Sequence, residues 1–157
     1  GLRTFSLSLG SPYEEVAFEI YTLENEHQHI GMGMIGELNK AMSEKDFLAY
    51  LKERMQVSVV RHSALLGKDV KKVAVLGGSG AFAIENAKRA KADVYITADL
   101  KYHEFFKAEG QILLADIGHF ESEQYIKSLL FDYLSKIFPT FALSISNVDT
   151  NPIKYYS

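Results

Sequence analysis

The chain has 157 residues, with 17 Lys+Arg against 20 Asp+Glu for a formal net charge of −3, and it is 47% apolar and 24% charged. That length and balance describe one ordinary globular domain with a core of its own and exclude a disordered chain. The missing basic excess argues against a dedicated nucleic-acid or membrane-surface binder, and the missing cysteine excludes disulfides, thiolate metal sites and cysteine nucleophiles while suiting a reducing, cytoplasmic setting.

Taken in chain order, Leu2, Phe5, Leu7 and Leu9 suggest a strand, Gly10–Pro12 a turn, and Val16–Tyr21 a second strand. The polar, Gly-containing stretch 24–34 is the expected boundary between an N-terminal arm (residues 1–30) and the main body (residues 31–157). Ser43 is a good helix N-cap, with Asp46 at its N3 position, and Phe47, Tyr50, Leu51 and Met55 follow at helical spacing. Val57–Arg61 is expected as a short strand and Val73–Leu76 as a buried one, followed by Gly77-Gly78-Ser79-Gly80 and a helix over Ala81–Arg89. Ala92–Thr97 is the next strand, Lys101–Ala108 a helix stopped by Gly110, and Gln111–Ala115 another strand. Ser122–Phe138 is expected as the longest helix, ended by Pro139, with a last strand at Phe141–Ile145. From Val73 onward the order β–α–β–α–β–α–β predicts an α/β layered fold, a mainly parallel sheet with helices packed on it. No apolar run reaches the roughly 18 residues of a membrane-spanning helix, and the opening Gly1–Phe5 lacks the apolar core of a signal peptide.

Three stretches could carry chemistry. In VAVLGGSG (73–80) a buried strand enters a Gly-rich turn, so the backbone N–H groups of Gly77, Gly78, Ser79 and Gly80 could contact an anion or substrate; a plain strand-to-helix turn capped by Ser79 explains the same residues. The spacing matches neither a dinucleotide fingerprint nor a Walker A loop. In ADIGHFESE (115–123), His119 and Glu123 stand four apart, on one face of a helix. Imidazole nitrogen with carboxylate oxygen suits Zn, Fe, Mn or Ni, and a surface hydrogen bond is the plainer alternative. Glu121, two positions away, is expected to face solvent, and Glu123 to sit near the N-terminal end of the long helix. In ITADLKYHEFF (96–106), Asp99, Lys101 and His103 follow a strand end; His103 and Asp99 are candidates for proton transfer or substrate contact, against a surface role. All three stretches fall after successive strands of one parallel sheet, the edge where such sheets place their sites. His27 and His29 are taken as solvated and His62 as structural.

Together, VAVLGGSG, ADVYITADLKYHE, ADIGHFESE and NVDTNP (147–152), with GMGMIGEL (31–38) before them, resemble consecutive blocks of the Nif-three-like proteins, the GTP cyclohydrolase I type 2 homologues. SPYEEVAFEIYTLEN (11–25) resembles the end of the regulatory-protein-like insert that many members carry between their halves. The resemblance covers essentially the whole chain and rests on the order of the blocks. It implies a two-lobed α/β protein enclosing two divalent metal ions and assembled as a toroidal hexamer. The second half of such proteins supplies a His and a Glu four residues apart, which fall here on His119 and Glu123; the first half supplies a His-His pair and an Asp. No His-His pair occurs in this chain, so the resemblance implies that it is the C-terminal lobe with the end of the insert, in keeping with a first residue that is not Met. The chain departs from the pattern at Ser11, Met34, Ala98, Asp149 and Asn151, none of them the proposed ligands. The implied function is a dinuclear-metal hydrolase of a small, nucleotide-like substrate; the alternative is a metal-binding regulatory or scaffold protein without turnover. An α/β domain holding a flavin or nucleotide on the GGSG loop is a third reading.

Overall fold

In the computed structural model, which describes residues 31–156, the chain opens with strand β1 (Met34–Ser43) and helix α1 (Glu44–Arg54), then the two-residue strand β2 (Arg61–His62). Strand β3 (Asp69–Ser79) leads through a 3-10 turn into α2 (Ile84–Arg89); β4 (Val94–Ala98) is followed by a 3-10 segment, Tyr102–Ala108, and β5 (Leu113–Asp116) by α3 (His119–Glu123) and α4 (Ile126–Ile137). The arm and the strands expected within residues 1–30 lie outside the described residues. No described helix is long and apolar enough to cross a membrane.

The sheet order is β1-β3-β4-β5-β2. The expected parallel core is present: β3 pairs parallel with β4, and β4 with β5. Every residue of VYITA and LLAD is buried, the pattern of strands covered on both faces. Tyr95 and Leu114 point to one face, packing with Leu76, Ile84, Ala87, Leu100 and Ile112. Val94, Ile96 and Leu113 point to the other, against Phe47 and Leu51 of α1. That helix begins as its sequence suggests, with Ser43 Oγ accepting from Asp46 N–H at 3.2 Å. The side chain of Glu44, buried beside it, accepts from the N–H groups of Leu66 and Gly67 and ties the loop before β3 to α1.

The edges differ from expectation. Phe141–Ile145 forms no strand; the sheet is closed instead by β1 and β2, both antiparallel to their neighbours. Alternation is a poor guide to β1, because its register shifts between Glu37 and Met42 and its residues are mostly exposed. Val57–Arg61 contributes only its last residue to β2, since Val57 turns into the core beside α1 instead of pairing. The helix expected from Ser122 starts earlier, at His119, and breaks at Gln124–Tyr125 before α4, which ends just before Pro139 as expected. None of the α4 residues is buried.

One carboxylate organises the loops beyond the parallel strands. Asp116, 3% exposed at the end of β5, accepts from Leu100 N–H at 2.8 Å through Oδ2 and from Gly118 N–H at 3.0 Å through Oδ1. Arg61 donates to the same Oδ2 and, at 3.0 Å, to the Leu100 carbonyl, its guanidinium lying over the Phe105 ring. A buried acceptor serving several donors leaves them orphaned when removed, so Asp116→Ala is expected to cost about 2–3 kcal/mol. Arg61→Ala removes the counter-charge but spares both N–H donors to the carboxylate, so it is expected to cost less than Asp116→Ala. Urea unfolding midpoints check both; equal losses would deny Asp116 this central role.

Candidate metal centre

The loops that Asp116 pins carry Asp99 and His119. Asp99 has a left-handed backbone (φ 56°) just beyond β4, and its Oδ2 lies 2.6 Å from His119 Nδ1. An ionised carboxylate only accepts, so Nδ1 carries the proton and donates. The lone pair of the neutral imidazole is thereby placed on Nε2, which faces Glu123 Oε2 at 3.4 Å. The Asp99 hydrogen bond, above all, holds the imidazole above the ordinary histidine pKa.

The third wall is β3. Gly78 has φ +69°, and a Cβ there would come within 2.5 Å of Glu123 Oε1 and 3.4 Å of His119 Cε1. The glycine opens the cradle in which the Glu123 carboxylate lies. Ser122 Oγ accepts from Gly78 N–H at 2.8 Å and donates to the His119 carbonyl at 2.8 Å, locking α3 onto the strand end. From behind, Thr97 Oγ1 donates to the Gly78 carbonyl and Tyr95 Oη to the Gly80 carbonyl.

His119, Glu123, Asp99 and Gly78 are therefore brought together at the carboxyl end of the parallel strands. Other expectations change. Gly77, Gly78 and Ser79 belong to β3 itself; Gly78 N–H is taken by Ser122 and Gly80 N–H by the Ala98 carbonyl, and Ser79 caps nothing. The glycines thus make room for side chains instead of presenting a row of free amides. His103 stands exposed on the 3-10 segment and, among the described residues, makes no hydrogen bond to Asp99, His119 or Glu123. Glu123 ends the short α3 instead of opening a long helix, so it has no N-terminal dipole to complement. Glu121 is not solvent-facing: it is 9% exposed, its Oε1 accepts from Asn151 Nδ2 at 3.1 Å, and its Oε2 has no partner. The tail folds back over it, which α-helical geometry alone could not foretell. Sequence reasoning also passed over Asp116 and Ser122; a lone Asp closing an apolar strand two residues before a Gly is the one signal that pointed to the first.

The donor set fits a divalent transition ion. Tetrahedral ligands at about 2.0–2.2 Å from zinc stand about 3.4 Å apart, which is the separation of His119 Nε2 and Glu123 Oε2. Asp99 behind the imidazole is the usual carboxylate partner of a ligating histidine. The pair is half in solvent, His119 46% and Glu123 52% exposed, and among the described residues no group of three or more His, Cys, Asp or Glu could hold an ion. Two donors leave about half of a zinc shell to be supplied.

Residues 8–152 match the family model described as Duf34/NIF3 (NGG1p interacting factor 3). The chain is 38% identical over 149 residues to a Bacillus subtilis protein named GTP cyclohydrolase 1 type 2 homolog, and 34% over 148 residues to a Staphylococcus epidermidis protein of the same name. Each alignment covers 92% of this chain and 40% of the relative. The solved structure of a Bacillus cereus protein related to NIF3 is similar with a TM-score of 0.70 at 33% identity, covering 92% of this chain and 41% of that one. The chain thus spans about 40% of the length of the curated relatives it matches.

Gly78→Ala is expected to cost about 1–2 kcal/mol for a left-handed non-glycine residue and, by pushing the Glu123 carboxylate aside, to lower metal uptake as well. In the full-length protein, Asp99→Asn is expected to lower zinc affinity about 10–100-fold while leaving the fold intact. Competition with a chromogenic chelator measures both affinities; wild-type affinity in Asp99→Asn would show that the hydrogen bond to Nδ1 does not prepare His119.

Proposed function

The chain belongs to the Duf34/NIF3 family, and on that premise we propose that His119 and Glu123 are two ligands of a divalent-metal site, dinuclear in the whole protein, in a hydrolase of small molecules. The observation that carries the reading is the opposition of His119 Nε2 and Glu123 Oε2 at 3.4 Å across the space that Gly78 leaves, with Nδ1 already committed to Asp99. A divalent ion in such a place supplies Lewis acidity toward a carbonyl or phosphoryl oxygen.

The chain's own residues have separable roles. Asp99 fixes the tautomer and plane of the imidazole; Ser122 and Gly78 set the depth of α3 against the sheet; Asp116 keeps both loops in register. Asp99 is thereby a positioning residue first, and His103, exposed on the 3-10 segment, is left to contact substrate or solvent. The remaining ligands are assigned to the part of the protein beyond this chain, where the resemblance puts a His-His pair and an Asp. The name borne by the relatives supports the hydrolase class. Assembly into a ring of copies, a hexamer by the same resemblance, is supported by the exposed Leu129, Leu130, Tyr133 and Ile137 of α4, an apolar surface that is stable when covered. A cysteine-free chain suits the cytoplasm.

In the full-length protein Glu123→Gln keeps size and one acceptor but removes the charge, so metal per purified chain is expected to fall sharply with an unchanged circular dichroism spectrum. Asp132→Asn, exposed on α4, is the control and keeps its metal. Parity between Glu123→Gln and wild type would end the ligand assignment. This chain by itself is expected to bind zinc weakly, because two donors do not close a shell; a stoichiometric, sub-micromolar site in calorimetry would overturn that. A metal-loaded full-length protein inert toward nucleotides, phosphoesters and cyclic amides would replace the hydrolase by the scaffold reading.

A further inference from the structure

Residues 148–156 return across α3 as a strap. Asp149 Oδ1 accepts from Asn151 N–H at 2.9 Å and Asn151 Oδ1 from Ile153 N–H at 3.0 Å, two successive side-chain turns that stiffen it. Asn151 also donates to the buried Glu121, so one amide both shapes the strap and fastens it. Tyr155 Oη lies at the same anchor, since a Cβ built on Gly118 would meet both it, at 3.3 Å, and Glu121 Oε2; burial, followed by the nearby Glu121 carboxylate, raises the Tyr155 phenol above its ordinary pKa. Between the strap and the α3–α4 corner lies a cavity of about 390 Å³. His119 and Glu123 stand on one side of it, Pro152 and Ile153 on the other, with Phe120 and Ile126 completing mostly apolar walls. Lys127 is the cation at its rim. Among the described residues no carboxylate lies within 4 Å of Lys127, and Asp149, the acid nearest it in the strap, is engaged by Lys154 at 2.8 Å.

We propose that this cavity is the substrate pocket, and that it takes a small aromatic or otherwise apolar molecule bearing a single acidic group, the acid on Lys127 and the reacting end against His119 and Glu123. The inference rests on the metal-hydrolase reading for what happens at that end, but not for binding. Its size is within the roughly 300–1,000 Å³ of small-molecule sites, and such sites are apolar with a few polar groups that fix orientation. One lysine balances one negative charge. A nucleoside triphosphate brings several, and without metal this lining offers it Glu123 beside the single cation, so the metal-free pocket disfavours a polyphosphate. The Asn-containing block at 147–152 thereby acquires a purpose, since Asn151 holds the wall that Pro152 and Ile153 present.

Metal-free protein isolates the pocket, because a carboxylate then has no ion to coordinate. In ¹H–¹⁵N titrations, phenylacetate and its neutral isostere phenylacetamide are both expected to shift the amides of Phe120, Ile126 and Ile153. Phenylacetate is expected to bind about tenfold more tightly, the margin of a charged over a neutral hydrogen bond. Lys127→Gln should erase the margin and spare phenylacetamide; Ile153→Asp should weaken both probes. Equal affinities in the wild type, a margin that survives Lys127→Gln, shifts confined to the Tyr102–Phe106 surface, or GTP binding more tightly than phenylacetate would each overturn the proposal. Metal content of Glu123→Gln is read separately, so pocket and metal assignments fail independently.

Discussion

A single buried carboxylate, Asp116, holds the working end of the sheet in shape. Loops that leave parallel strands must reverse direction, and their first N–H groups lose the sheet ladder as they do so. Asp116 accepts two of those donors, Leu100 N–H beyond β4 and Gly118 N–H beyond β5, and takes the Arg61 guanidinium as its counter-charge. Asp99 and His119 are the immediate neighbours of those two amides in the chain. The 2.6 Å contact between them is therefore a consequence of where Asp116 puts their backbones.

The site built on that frame is graded from dry to wet. Thr97 and Tyr95, buried in β4, hold the glycine segment of β3 from below. Gly78 then yields the volume a side chain would fill, and Glu123 enters it. His119 and Glu123 remain half exposed, so their alignment depends on hydrogen bonds more than on packing. That explains why each partner of the imidazole is a polar group held by something else: Asp99 by its loop, Glu123 by the α3 turn that Ser122 fastens.

Glu121 shows how the same five-residue helix serves two surfaces. His119 and Glu123, four apart, look toward the sheet end; Glu121, turned about 200° from Glu123, looks toward the returning tail, where Asn151 meets it. A carboxylate nearly excluded from solvent with one oxygen unpartnered is costly to keep. Its retention is accounted for by the strap it secures, since the strap makes one wall of the cavity beside His119 and Glu123.

Much of this was legible in the residue order. The period of the apolar residues marked the segments that become β3, β4 and β5, and residue type marked the Ser43 cap and the stop before Pro139, because these depend on contacts only a few residues long. The pairing of His119 with Glu123 followed from helical spacing, and the gathering of Gly78, Asp99 and His119 followed from the rule that parallel strands end on one side. What tertiary structure decided is everything that joins distant segments: the antiparallel edges β1 and β2 in place of a strand at 141–145, the engagement of the glycine amides by Ser122 and Ala98, the burial of Glu121 under residues 148–156, and the hub at Asp116. Local periodicity encodes which face of an element is apolar, whereas a hydrogen bond between segments far apart in the chain has no period, and exists only once the sheet has brought its two ends together.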